Sequence, residues 1–200
     1  ESKFRLLFER SADAVLLMDA TKGPKFVDCN EAATRLLGFK TKEEIIRLPP
    51  GGISPPRQPD GQESVVKAAE MARLAIENGS HRFEWATKRA DGRIITTEVV
   101  MTPVQMNALP LIVTVARDIT ERKKAEESLG AHQQLLTSIL DNISEGVYRS
   151  SPERGLIFAN PSYLRMFGYE SIEDLRSVPR EQLYARVEDR KMLLTQLAET

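Results

Sequence analysis

Apolar residues recur along this chain with two periods, and the places where the period changes outline its elements. Ser64 to Asn78 carries Ala68, Met71, Ala72, Ala75 and Ile76 at the spacing of one helix face and stops at Asn78-Gly79. From Arg82 the pattern shifts towards strands: Phe83-Glu-Trp85-Ala-Thr87, then Ile94 to Thr102, then Leu111 to Ala116. Asp91-Gly92 between the first two is a hairpin signal. Read as a two-residue loop, it sets Phe83 opposite Val100 and Trp85 opposite Glu98. Two shorter strands come earlier, the second ending at Asn30, and the stretch from Leu48 to Gly61 is too rich in proline and glycine for a regular element. Two strands, several short helices and three longer strands describe an antiparallel sheet with helices on one face, an α+β domain.

Part of this pattern occurs twice. Phe26-Val-Asp-Cys-Asn30-Glu-Ala-Ala-Thr-Arg35-Leu-Leu-Gly38-Phe39 matches Leu156-Ile-Phe-Ala-Asn160-Pro-Ser-Tyr-Leu-Arg165-Met-Phe-Gly168-Tyr169 in register. Ala12-Asp-Ala-Val15 parallels Ser144-Glu-Gly-Val147 upstream, and Lys42-Glu-Glu-Ile45 parallels Ile172-Glu-Asp-Leu175 downstream. A repeat this long is two copies of a domain rather than a solenoid. Each copy reads as a short strand, a helix capped by Asn30 or Asn160, and a stop at Gly38 or Gly168. Pro161 takes the first helical position in the second copy. This punctuation is structural and implies no catalysis.

Between the copies, Glu121 to Asn142 contains no proline and one glycine, Gly130. Ala125, Leu129, His132, Leu136, Ile139 and Ile143 follow a 3–4 spacing like the seam of a short coiled coil. Two readings stay open: a solvated helix joining two domains, or a dimerising helix that relays a signal.

Composition narrows the function. Lys+Arg 28 against Asp+Glu 29 gives a net charge of −1, so no global field recruits nucleic acid or an anionic membrane. A single cysteine, Cys29, excludes an internal disulfide framework and a Cys-rich metal site. No apolar run approaches the roughly 20 residues of a membrane span. A phosphate-binding glycine loop, a Cys–His pair with a base and zinc-ligand spacing are all missing, so no catalytic or metal residues are assigned. The expectation is a cytoplasmic, non-enzymatic piece of a longer protein, which elsewhere could be membrane-anchored.

The Asn30-to-Phe39 block, Gln58-Pro-Asp-Gly61, Phe83-Glu-Trp85, Asp91-Gly92 and above all Arg117-Asp-Ile-Thr-Glu-Arg-Lys123 resemble the PAS sensory domain family. The resemblance implies a five-stranded antiparallel sheet in the order 2-1-5-4-3 with helices enclosing a small pocket. It divides the chain into a PAS domain at 1–120, a linker helix at 121–142 and the N-terminal part of a second PAS domain at 143–200. That second copy is expected to stop within its long helix. The family's exit motif falls on Asp118, Ile119 and Thr120, whose role would be signal coupling, with the aspartate pairing with a base and the threonine steadying the linker helix.

Phe39, Met71, Ala75, Phe83, Trp85, Glu98, Val113 and Val115 are the candidate ligand-pocket residues, with Trp85 and Glu98 facing one another to orient a ligand. No cofactor is expected, and an unidentified small molecule is the candidate ligand. Cys29 lies in Asp-Cys-Asn, not in the Asn-Cys-Arg type of motif of flavin-binding relatives. His81 follows a helix stop rather than lying in the long helix, where haem ligands of the family sit. His132 lacks the acidic neighbour of a phospho-accepting histidine. The resemblance implies a sensory and signal-relay module, homodimeric through the linker helix. It would be attached to a C-terminal histidine kinase or diguanylate cyclase beyond Thr200. A ligand-free dimerisation adaptor and a haem or flavin sensor are the alternatives.

Overall fold

A computed structural model describes residues 2–19, 21, 25–49, 51–106, 109–151, 153–179 and 192. The chain divides into two compact units that part between Glu126 and Glu127. In the first, helix α1 (Ser2–Arg10) precedes strands β1 (Ala14–Asp19) and β2 (Lys25–Cys29), helices α2 (Glu31–Leu37), α3 (Lys42–Ile46) and α4 (Ser64–Asn78), and strands β3 (His81–Lys88), β4 (Ile94–Met106) and β5 (Leu109–Asp118). The strands form one sheet in the order β2-β1-β5-β4-β3, antiparallel throughout. This is the order the sequence resemblance implies.

Buried Leu16, Leu37, Ile45, Trp85 and Val99 belong to one cluster between the sheet and the helices. Burying each such side chain stabilises the fold by about 1.5–3 kcal/mol. The proline-rich stretch covers the open edge of β3. Buried Gln58 accepts from the Ala86 N–H at 2.8 Å and donates to its carbonyl at 3.3 Å, and the Lys88 N–H donates to the Ile53 carbonyl at 2.9 Å. A side-chain amide thus occupies the ladder position that would otherwise offer unpaired backbone to another chain.

The β3–β4 hairpin differs from the two-residue reading. Arg89 N–H donates to the Arg93 carbonyl at 2.9 Å and Gly92 N–H to the Arg89 carbonyl at 3.0 Å, with Gly92 at φ 84. The loop is therefore the three residues Ala90-Asp91-Gly92, ending in a left-handed glycine. The ladder shifts by one: Phe83 faces Val99, Trp85 faces Thr97, and Glu98 faces Glu84. A one-residue shift moves a side chain to the other side of the sheet, so the predicted Trp85–Glu98 pair does not form.

Helix α5 (Thr120–Asn142) is continuous across the division between the units and buries none of its residues. The second unit then contains strands β6 (Tyr148–Ser151) and β7 (Gly155–Ala159), paired antiparallel, and helices α6 (Pro161–Phe167) and α7 (Ile172–Arg176). The long helix expected near the chain's end lies outside the described residues.

The repeat is reproduced bond for bond. Asn30 Oδ1 accepts from Val15 N at 3.0 Å and Ala33 N at 2.9 Å, and its Nδ2 donates to the Phe8 and Asp13 carbonyls, both at 3.0 Å. Asn160 Oδ1 accepts from Val147 N at 2.8 Å and Tyr163 N at 2.9 Å, while its Nδ2 donates to the Leu140 carbonyl at 3.0 Å and the Glu145 carbonyl at 2.9 Å. One amide therefore caps a helix, fixes the strand before it and holds the end of the helix before that. Leu140 near the end of α5 takes the place that Phe8 takes near the end of α1. Each copy thus includes the helix that leads into it.

Candidate functional site

Alternate residues of a strand face the same side of a sheet, and the inner side here carries Leu16 and Met18 of β1, Phe83 and Trp85 of β3, Met101 of β4, and Ile112 and Thr114 of β5. With Ile53 and Ser54 of the proline-rich loop and Val65, Ala68, Ala72 and Ile76 of α4, they line a cavity of about 540 Å³. Its size lies within the roughly 300–1,000 Å³ typical of small-molecule sites. The alanines of α4 leave the space, because at those positions longer side chains would reach the sheet. Val65 and Ile76 line the cavity and are also largely exposed, so it opens to solvent beside α4.

The polar groups in the wall are mostly engaged with one another. Trp85 Nε1 donates to Ser54 Oγ at 3.0 Å, and Thr87 and Thr97 hydroxyls meet at 2.8 Å. Ser64 Oγ donates to the Pro55 carbonyl at 2.5 Å and accepts from Gln58 Nε2 at 2.8 Å. The two charged wall residues, Arg73 and Glu77, pair with each other at 2.6 Å on the exposed side of α4.

Of the eight residues proposed from the sequence, Phe83 and Trp85 line this cavity. Met71 is buried in the core with Phe39 packed against it, and Ala75 is fully buried, but none of the three reaches the cavity wall. The hydrophobic stripe of α4 has two sides, and it is the side carrying Ala68, Ala72 and Ile76 that faces the space. Glu98 is on the outer side of the sheet, where it pairs with Arg82 at 3.4 Å, as the hairpin register requires. Val113 and Val115 also fall outside the cavity, which Ile112, Thr114 and Ala116 line instead. Both phases of β5 are apolar enough to be inner, so alternation alone could not choose between them. The pattern likewise missed Leu16, Met18, Phe26 and Met101; a period of two applied to β1 and β4 narrows each to one of two faces.

The start of α5 is fastened to the end of the sheet. Buried Ile119 donates its N–H to the Thr96 carbonyl at 2.9 Å, and Thr120 Oγ1 accepts from Thr96 N–H at 3.0 Å. Asp118 Oδ1 accepts from Thr120 N–H at 2.8 Å, and Lys123 pairs with Glu84 at 2.6 Å. The expectation for Asp118 is thus altered. Among the described contacts Asp118 holds a backbone N–H rather than a base, while the Thr120 hydroxyl steadies the start of α5 by bonding to Thr96 of β4. A second ion pair at this end is made by the neighbouring Arg117, which grips Asp13 with Nε at 2.9 Å and Nη2 at 2.7 Å. That guanidinium holds the Asp13 carboxyl below its ordinary range.

Cys29 is fully buried and outside the cavity wall, and burial pushes its thiol up to about 11. It is not poised as a nucleophile. His81 stacks on Phe83 with ring centroids 5.6 Å apart and is not a wall residue, and His132 is exposed on α5. Among the described residues no three His, Cys, Asp or Glu side chains are grouped to hold a metal, and no helix is long and apolar enough to cross a membrane.

A family model of the PAS domain matches residues 12–121, the whole sheet with its exit motif. The chain belongs to the PAS domain family. A second PAS domain model matches residues 134–198, which includes the end of α5 that Asn160 holds. The chain is 30% identical over 126 residues to the methyl sulfide methyltransferase-associated sensor of Methanosarcina acetivorans, covering 63% of this chain and 12% of that protein. It is 24% identical over 151 residues to the sensor histidine kinase TmoS of Ectopseudomonas mendocina, covering 74% of this chain and 15% of that protein. It therefore spans a small part of either relative. Among solved structures, a PAS domain from Colwellia psychrerythraea aligns with TM-score 0.50 and 22% identity over 60% of this chain and 97% of that one. An RNA-binding light-oxygen-voltage receptor aligns with TM-score 0.53 and 21% identity over 67% of this chain and 37% of that one. At these identities the structural likeness concerns the PAS fold alone.

Proposed function

We propose that this tandem PAS segment is a cytoplasmic sensory and signal-relay module. Its first domain binds a small molecule between α4 and the sheet and passes its state through α5. The reading rests chiefly on one adjacency. Thr97, hydrogen-bonded to the cavity residue Thr87 and to the Trp85 carbonyl at 3.2 Å, is next in the chain to Thr96, which anchors both Ile119 and Thr120. A ligand that moves the Trp85–Thr87 stretch therefore acts one residue away from the anchor of the exit helix. It biases output only to the extent that it binds one arrangement of sheet and helix better than another. The relatives named as a sensor and a sensor histidine kinase support the sensory role. The segment is read as regulatory rather than catalytic, serving a C-terminal histidine kinase or diguanylate cyclase of the full-length protein.

Native mass spectrometry of the purified chain, paired with its visible absorption spectrum, tests the binding half. A retained or added small molecule at one per chain is the expected result. In the full-length protein, Asp118→Ala should abolish the response of output to ligand while Trp85 fluorescence reports that the domain still folds and unfolds cooperatively. An unchanged response would overturn the proposed route. The exposed leucines of α5 favour a second reading, a dimerisation adaptor with no ligand. A protein that binds nothing yet dimerises through α5 would establish it.

A further inference from the structure

We infer, resting on that reading of the cavity, that its ligand is an uncharged, mostly hydrocarbon molecule with a single hydroxyl or carbonyl group, which meets Thr114. The wall is built almost entirely of aliphatic and aromatic side chains. Its charged residues, Arg73 and Glu77, sit on α4 with their side chains 58% and 52% exposed and neutralise one another. A carboxylate, phosphate or ammonium group carried into this space would lose its water and find no free counter-charge, which is strongly unfavourable. The polar wall groups restrict the ligand further. The Trp85 indole, the Ser64 hydroxyl and the Thr87 hydroxyl are all committed to protein partners.

Thr114 is different. It lines the cavity from β5, and among the described residues its hydroxyl has no hydrogen-bond partner. The Ser54 hydroxyl already accepts from Trp85, so part of its hydrogen-bonding capacity is spent, whereas all of that of Thr114 is open. Thr114 can both donate and accept, so it is the point at which one polar group of a ligand is matched. Beyond Thr114 and the remaining capacity of Ser54, further polar groups of a ligand would be buried unpaired, at a cost that disfavours a ligand with many of them.

Trp85 is the only tryptophan of the chain and 8% exposed in the cavity wall, so its emission reports occupancy directly. Titrating the whole chain with 1-octanol, octanoate and octylamine at pH 7.5 compares one alkyl chain in three charge states. Octanol should shift the emission and raise the melting temperature, with the two ions at least tenfold weaker. Ala72→Leu fills the space from the α4 side and should remove the octanol response without lowering the melting temperature of the free protein. Thr114→Val, which takes away only the hydroxyl, should weaken octanol about five-fold, as expected for one net hydrogen bond. Octanoate or octylamine binding as well as octanol would overturn the ligand class and leave the sensory reading standing. An octanol response that survives both substitutions would place binding elsewhere and overturn the assignment. No response to any of the three, with native mass equal to the bare chain, would overturn the class and the small-molecule reading together.

Discussion

Asn30 carries more of the first domain than any charged residue does, because its amide is fully buried and all its hydrogen-bonding directions shown are used on backbone from three elements. Asn30→Ala would leave the Val15 N–H without this acceptor and the Phe8 and Asp13 carbonyls without this donor, while the Ala33 N–H keeps the residue 30 carbonyl at 3.1 Å. At about 1–3 kcal/mol for each buried group left unpaired, the loss should exceed about 3 kcal/mol. Urea unfolding followed by Trp85 fluorescence measures it, and a loss below about 1 kcal/mol would show that water replaces the amide. Asp13 makes a different kind of contribution. Its pairing with Arg117 depresses the carboxyl in the folded protein relative to its ordinary 3.8. The unfolded chain therefore takes up the proton first as pH falls. The stabilisation is present above about pH 4 and is lost as pH falls below that value through the folded pKa. Asp13→Asn should flatten the acid limb of a stability–pH curve in that window and leave the slope between pH 6 and 8 unchanged. Cys29 should be slow towards a thiol reagent at pH 8 in the folded protein and react as an ordinary thiol once unfolded. Equal rates in the two states would contradict its burial.

At the scale of elements, Thr120 distinguishes a fastened exit helix from one that merely follows the sheet. Thr120→Val keeps the shape and removes the acceptor of the Thr96 N–H. The expected cost is about 1–2 kcal/mol. Faster amide exchange at Thr96 and Ile119 should accompany it, whereas protection unchanged at both would show that the hydroxyl is dispensable. The elements whose signals are local were legible in the sequence: the Asn30 and Asn160 caps, the glycine stops, α4, and the strand pattern of the sheet. The order of the strands came with the family resemblance. Part of what was not legible depended on partners distant in sequence. Helix α1 has nine residues, too few to be stable alone, and is held where the Phe8 carbonyl meets Asn30. The hairpin register turned on whether Asp91-Gly92 closes a loop of two residues or ends one of three, and Glu98 went to the wrong face with that choice. The inner phase of β5 was masked because Val113 and Val115 are as apolar as Ile112 and Ala116. On α4, Met71 and Ala75 fell beside the cavity because a hydrophobic stripe says that a side is buried, but not whether it meets side chains or a space.

At the scale of the whole molecule, α5 poses a problem of burial. Its 23 residues include none that is buried, and Leu129, Leu136 and Ile139 are each at least 50% exposed. These residues continue the 3–4 seam read from the sequence, and the likeness of this helix to a heptad strand suggests a second copy of the same chain as its partner. Leu135, exposed beside the seam, widens the apolar surface that a parallel partner would cover. In a relay, such pairing has a mechanical use. Two copies of α5, each fastened at Thr120 to its own sheet, would turn a small change at the sheet into a change of pitch or register between helices. Sedimentation velocity of the full chain between 1 and 100 µM should show a dimer. Leu136→Glu should shift it towards monomer by at least tenfold in dissociation constant, since the substitution places like charges at the centre of the seam. His132 occupies a seam position that a coiled coil would fill with an aliphatic residue, so His132→Leu should tighten the dimer. A wild-type chain that stays monomeric to 100 µM, or a dimer indifferent to both substitutions, would remove α5 as the interface and leave relay through a single chain.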